Sequence, residues 1–222
     1  MELELNFSKN FIEILKQFQK ISDQMYFNHG YKQSVIAESK RIFAQSVTDV
    51  EVEKPFAIYS LRKLLSVLSL YNEPKIIIND NVMIISSNDD RKTCHYQLTN
   101  PEYIVYEKNL DKFNKKYDFS FEMKKADYME IDEIASVLKS NLIIFRGDGK
   151  SVNVTCEKSQ SGDVGLISLG ESSEIFKAAL PIDILKMMDE DYIVEISRKG
   201  SIRFISEKIT YLFALDKDNS SL

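Results

Sequence analysis

Residues that carry chemistry are scarce in this chain. Its 222 residues include only two cysteines, two histidines and seven glycines. Cys94 and Cys156 both fall in strand-like runs, where a reduced cysteine acts as a small hydrophobe, so no disulfide framework is expected. His29 and His95 stand 95 − 29 = 66 positions apart, one in a turn and one in a strand. That placement suits satisfied or exposed histidines better than a general base. So few glycines leave no Gly-x-Gly-x-x-Gly loop and no Gly-x-Ser-x-Gly elbow. Gly149-Lys-Ser151 hints at a phosphate loop, but the first glycine of that motif would fall at Ile144, and Arg146-Gly-Asp-Gly-Lys150 reads as a hairpin turn. Paired Cys-x-x-Cys and His-Glu-x-x-His motifs are absent too. Asp189-Glu-Asp191 could bind a metal, yet its place after a helix and before a strand is that of a solvated turn. No catalytic residue, metal site or cofactor is assigned, and the chain is not read as an enzyme.

Positive charge and long apolar runs are lacking as well. The formal net charge is −5, so bulk charge does not advertise a nucleic-acid binder, and any such surface must be local. No apolar run approaches the roughly 18 residues of a membrane span, and Met1-Glu-Leu-Glu-Leu-Asn-Phe7 lacks the regions of a signal peptide. A cytoplasmic protein without membrane contact is expected. Asn153-Val-Thr155 matches a glycosylation acceptor that is inert without secretion.

What is present is a repeated pattern. Pro55 to Tyr59 reads as a strand and Ser60 to Ser69 as an amphipathic helix, followed by strands at Lys75 to Asn79, Val82 to Ser86 and Lys92 to Leu98. The same order returns with a strand from Ile175 to Leu180 and a short helix from Pro181 to Met188 that has proline in its first turn. Strands at Tyr192 to Ser197, Ile202 to Ser206 and Ile209 to Leu215 complete it. Phe56 and Phe176 open the two copies, 176 − 56 = 120 positions apart. So long a period, repeated once, predicts two similar domains and not a solenoid.

Each copy is preceded by a helix and further strands. Over Ser8 to Lys20, Phe11, Ile14, Leu15 and Phe18 share one face while Lys9, Glu13, Lys16 and Lys20 lie opposite, with Ser8 as N-cap. The lysine row is either a solvated face or a surface that meets an anion. Strands then run Met25 to Phe27, Gln33 to Ala37 and Ile42 to Val47. In the second half a helix over Lys124 to Lys139 holds the matching place, followed by strands Leu142 to Arg146, Ser151 to Glu157 and Val164 to Leu169. Each half is read as two helices and about eight or nine strands, seven of which are named here. The domains are drawn at 1–106 and 107–222, with a connector over about 99–116 that is ordered at its start, and the tail Asp216 to Leu222 is expected to fray.

Three passages carry a family resemblance. Phe56-Ala-Ile-Tyr-Ser-Leu-Arg-Lys-Leu-Leu-Ser-Val-Leu-Ser-Leu70 resembles a strand entering the second helix of DNA sliding clamps, above all the polymerase processivity clamps of T-even-type bacteriophages. Leu180-Pro-Ile-Asp-Ile-Leu-Lys-Met-Met188 with Tyr192-Ile-Val-Glu-Ile-Ser-Arg-Lys-Gly200 is similar to the family's fourth helix and next strand, and Tyr211-Leu-Phe-Ala-Leu215 to its last strand. The resemblance, shared with proliferating cell nuclear antigen, implies an α+β DNA-clamp fold. Two similar domains would each place two helices on one face of antiparallel sheets.

It further implies a homotrimeric, head-to-tail ring around duplex DNA that is not read for sequence. The ring tethers the replicative DNA polymerase for processive synthesis and is opened by an ATP-dependent clamp loader. The channel would then be lined by Lys9, Lys16, Lys20, Arg62, Lys63, Lys139 and Lys186, although Asp127, Glu130, Asp132 and Glu133 make the third helix acidic. Subunits would meet through Thr93, Tyr96 and Leu98 of one copy and Val164, Ile167 and Leu169 of the next. A partner peptide would dock near Ile42, Ile104, Val105, Phe213 and Leu215, each of which could equally be core. Two other functions stay open: a duplicated α+β enzyme with a carboxylate site such as Glu130 and Asp132, or a structural assembly protein.

Overall fold

The computed structural model describes residues 3–89, 91–110, 116–158, 162–182 and 186–222. The chain divides into two compact units, Met1–Leu110 and Asp111–Leu222.

In the first unit the order is β1 (Leu3–Leu5), α1 (Lys9–Ile21), β2 (Met25–Phe27), β3 (Gly30–Ile36), β4 (Ile42–Val52) and β5 (Phe56–Ile58). Then come α2 (Leu61–Leu68), β6 (Lys75–Asn79), β7 (Val82–Ser86), β8 (Thr93–Gln97) and a single 3-10 turn, Pro101–Tyr103. Helix α1 starts where Ser8 accepts the Phe11 amide at 2.9 Å, a cap worth about 1 kcal/mol. It buries Phe11, Ile14, Leu15 and Phe18, each worth roughly 1.5–3 kcal/mol against exposure. Strands β1, β6, β7 and β8 form one antiparallel sheet in that order, while β3 pairs with β4 and β2 with β5.

The second unit holds β9 (Phe119–Met123), α3 (Lys125–Leu138), β10 (Leu142–Asp148), β11 (Ser151–Glu157), β12 (Val164–Glu171) and β13 (Ile175–Pro181). After them come β14 (Tyr192–Ser197), β15 (Ser201–Ile205) and β16 (Thr210–Ala214). One sheet runs β12-β11-β10-β13, and β9, β14, β15 and β16 pair in succession. The expected fourth helix is centred on residues 183–185, outside the described residues.

Phe56 and Phe176, the residues that open the two copies, occupy comparable places in their cores. Phe56 stacks on Phe27 with centroids 4.3 Å apart, and Phe176 stacks on Phe119 at 5.0 Å. Around them Phe7 and Phe11 meet edge to face at 4.9 Å, and Phe145 lies 5.8 Å from Phe204. Aromatic pairs at such separations add about 0.5–1.5 kcal/mol beyond the area they bury.

Several boundaries differ from the sequence reading. Strand β4 continues past Val47 to Val52 because Thr48, Val50 and Val52 are buried in alternation with exposed Asp49 and Glu51, a period of two in a stretch rich in acids. Strands β1 and β9 were not foreseen. Leu3–Leu5 is short and flanked by polar residues, and its register comes from β6, with Leu5 opposite Ile76.

The tail is also ordered, not frayed. Lys177 and Ser221 exchange backbone hydrogen bonds at 2.7 and 2.8 Å, and the Asp216 amide donates to the Ala179 carbonyl at 2.9 Å. At Arg146 to Lys150 the hairpin is present: Gly149 has φ +84°, and the Asp148 carboxylate accepts the Lys150 and Ser151 amides at 2.9 and 2.8 Å.

Candidate nucleic-acid interface and pairing edges

Lys9, Lys16 and Lys20 are all exposed on α1, opposite its buried face, and Arg62 and Lys63 are exposed on the first turn of α2. The two helices pack beside each other, so five cations of the first unit come from one helix pair. Asp23, just past the end of α1, sets the start of α2. Its carboxylate accepts the Arg62 amide at 2.7 Å and the Ser60 hydroxyl at 2.8 Å, and its carbonyl accepts the Leu61 amide at 2.6 Å. Ser60 in turn accepts the Lys63 amide at 3.2 Å. The sequence reading missed Asp23 because its partners lie 37 to 39 positions away.

The second unit presents charge differently. Asp127 is engaged at the N-terminus of α3, where it accepts the Lys124 amide at 2.7 Å, while Glu130, Asp132 and Glu133 are exposed. Lys139 is exposed at the C-cap of α3 in the left-handed conformation, φ 50°. Lys186 is exposed outside any assigned helix. Neither continues a cationic row of the kind found on α1. Of the turn after residue 188, Asp191 accepts the Lys125 amide at 2.8 Å and Glu190 lies 3.6 Å from Lys208. Among the described residues no group of His, Cys, Asp or Glu could hold a metal ion.

Among the described strands β8 pairs with β7 alone and β12 with β11 alone, so each offers one free edge. On β8, Thr93, His95 and Gln97 are exposed. Tyr96 is only 5% exposed, and its hydroxyl donates to the Ser60 carbonyl at 2.6 Å; Leu98 is buried too. Strand alternation turns those two side chains inward, which corrects their assignment to a side-chain contact surface. On β12, Val164 is 56% and Leu166 63% exposed, while Ile167 and Leu169 are half-buried on the opposite face. Leu166, which the sequence reading passed over, is the more exposed apolar side chain of that strand. Gly165 lies against α3: a Cβ there would collide with Ile134 Cγ2.

The connector begins as an ordered segment on the first unit. Tyr106 stacks on Tyr26 with centroids 4.4 Å apart, and the Val105 amide donates to Gln24 Oε1 at 3.2 Å. Val105 and Ile42 are half-buried and Ile104 is buried. Phe213 and Leu215 are 1% and 3% exposed, and Phe213 packs 5.7 Å from Phe204. Of the two roles open to them in the sequence, these two residues take the core role.

No protein-family model matches the chain. Solved structures similar to it include proliferating cell nuclear antigens. That of Entamoeba histolytica superposes with TM-score 0.68 at 14% identity, over 96% of this chain and 98% of its own. That of Thermococcus kodakaraensis gives 0.67 at 15%, over 97% and 100%. A PCNA2–PCNA3 complex from Sulfolobus tokodaii gives 0.65 at 11%, over 97% and 99%. The fold is the DNA-clamp fold.

Within that class the chain is a homologue of phage sliding clamps. It is 24% identical to the sliding clamp of Vibrio phage KVP40 over 96% of this chain and 99% of the relative. It is 22% identical to that of Escherichia phage RB69 and 21% to that of Enterobacteria phage T4, each over 97% of this chain and 99% of the relative.

Proposed function

We propose that the chain is a DNA sliding clamp, a closed ring of copies that encircles duplex DNA without reading it and holds a replicative polymerase at the primer end. The observation that carries this is similarity to phage sliding clamps along nearly the whole chain, together with an unpaired outer edge, among the described strands, on β8 of the first unit and on β12 of the second. Ring closure by three head-to-tail copies joins β8 of one copy to β12 of the next through main-chain hydrogen bonds, with Val164 and Leu166 covered in the joint. Exposed lysines and arginines on α1 and α2 meet phosphates as point charges, which permits sliding because phosphates recur along every sequence. The connector, held by Tyr26 and Gln24, borders the surface where a polymerase peptide docks beside Ile42 and Val105. An ATP-dependent loader opens the ring, and the clamp itself catalyses nothing.

Retention on DNA tests this. Loaded on nicked circular plasmid, the protein should stay through gel filtration at high salt and be lost once the plasmid is cut. Equal loss from circular and linear DNA would overturn the encircling ring. Glu130 and Asp132, the carboxylates an enzyme would need, stand exposed on α3, where a carboxylate is solvated.

A further inference from the structure

Sheet β12-β11-β10-β13 has two outer strands, and the chain treats them in opposite ways. Strand β12 has no partner on its outer side among the described strands. Strand β13 is covered on its outer side by residues 216–221, after the last strand of the unit. The amide and carbonyl of Lys177 bond to Ser221 at 2.7 and 2.8 Å. The carbonyl of Ala179 accepts the Asp216 amide at 2.9 Å, and its amide donates to the Ser220 hydroxyl at 3.0 Å. Asp216 also folds the tail into the turn this requires: its Oδ1 accepts the amides of Asp218 and Asn219 at 3.0 and 3.2 Å.

The first unit does the same at the equivalent strand. Thr99, just past β8, forms a bridge with Ala57 of β5 and donates its amide to the Ala57 carbonyl at 3.0 Å. Lys177 and Ala57 are 177 − 57 = 120 positions apart, the spacing of Phe176 and Phe56. Asn100 then accepts the Glu102 amide at 3.0 Å, a side-chain-held turn like that of Asp216. In both units the chain that leaves the last strand closes this edge. A feature that recurs at two such different places, after β8 and after β16, answers a need common to both.

That need is protection of an edge. An uncovered strand presents a row of unpaired amides and carbonyls to any other chain. On β13 the bared row would sit beside Ile175, which is 74% exposed. We propose that the tail is a strap that seals β13, and that this edge, once bared, pairs antiparallel with the same edge of a second copy. The inference rests on the ring reading in one respect: closure uses the open edge of β12, and a bared β13 would add a second pairing edge to that sheet. With β13 bared, rings could cross-link through it.

The experiment compares the full chain with one that ends at Asp216, by sedimentation over a range of concentrations. The shortened chain should form species of about twice the mass of the full-length assembly or more, growing with concentration. Identical mass distributions, with far-ultraviolet circular dichroism unchanged, would overturn the strap. Should the shortened chain fail to fold, hydrogen exchange on the full-length protein decides: the Lys177 and Ala179 amides should be protected, and exchange as fast as that of an open edge would sink the proposal. A monomeric full-length chain would count against the ring alone, because the strap is judged on the difference between the two chains.

Discussion

The Asp23 carboxylate accepts the backbone amide of Arg62 at 2.7 Å, so the residue that follows α1 fixes the direction in which α2 leaves. It serves as a cap supplied from another element, next to the local cap of Ser60. Asp23→Ala should cost about 1–2 kcal/mol, the usual loss of a helix cap. It should also weaken DNA retention more than that loss explains, because Arg62 and Lys63 lose their fixed bearing. Thermal unfolding alongside retention on circular DNA checks both, and an unchanged melting curve would remove Asp23 from this role.

Phosphate neutralisation gives a second prediction. Replacing Lys16 or Lys20 by Ala should lower the dependence of log affinity on log salt by roughly one unit for each phosphate left without its cation, equally for all DNA sequences. Fluorescence anisotropy on two unrelated duplexes at several salt concentrations measures it. A change on only one duplex would point to base recognition instead.

Side-chain direction on the two free edges separates assembly from folding. Leu166→Asp should dissociate the ring with little loss of unit stability, because Leu166 is 63% exposed. Tyr96→Asp should unfold the first unit instead, since it buries a charge and removes the hydroxyl bonded to Ser60. Sedimentation and thermal melting on each variant distinguish the two.

Close approach of β12 to α3 depends on Gly165. Gly165→Ala should destabilise by about 1–3 kcal/mol through collision with Ile134. Combined with Ile134→Ala, the cost should be smaller than the sum of the two single changes. Denaturant midpoints give the comparison, and strict additivity would mean that the strand shifts away freely.

Three buried tyrosines predict an alkaline limit. The hydroxyls of Tyr128 and Tyr192 donate to the carbonyls of Met187 and Met188, and that of Tyr211 accepts the Met188 amide at 3.3 Å. Burial pushes Tyr128 up to about 12 and raises Tyr192 and Tyr211 as well. In the unfolded chain these groups ionise near 10, so above that pH the folded state binds more protons and stability falls as pH rises. The contribution is complete below about pH 10. Unfolding midpoints at pH 8 to 11 should therefore fall only in the upper part of that range, and Tyr192→Phe should flatten the fall.

Much of this was legible in the chain because duplication doubles every signal. The 120-residue spacing of Phe56 and Phe176 located both cores, and the 3.6-residue rhythm of Phe11, Ile14, Leu15 and Phe18 located α1. What escaped notice was set by distant partners. Short β1 takes its register from β6, the tail takes its conformation from Lys177 and Ala179, and Asp23 works through residues beyond position 59. On β8, the aromatic residue that looked most like a contact was the one turned inward, since in an edge strand the exposed positions are the polar ones.

The proposed joint between β8 and β12 would bring together unlike strands of unlike units. Such a joint has no twofold axis, so every subunit follows its neighbour in the same sense around the circle. A ring closed in this way has a front and a back. Any enzyme that recognises one of them is aimed along the duplex in a single direction, and orientation on DNA is decided at loading, before a base is copied.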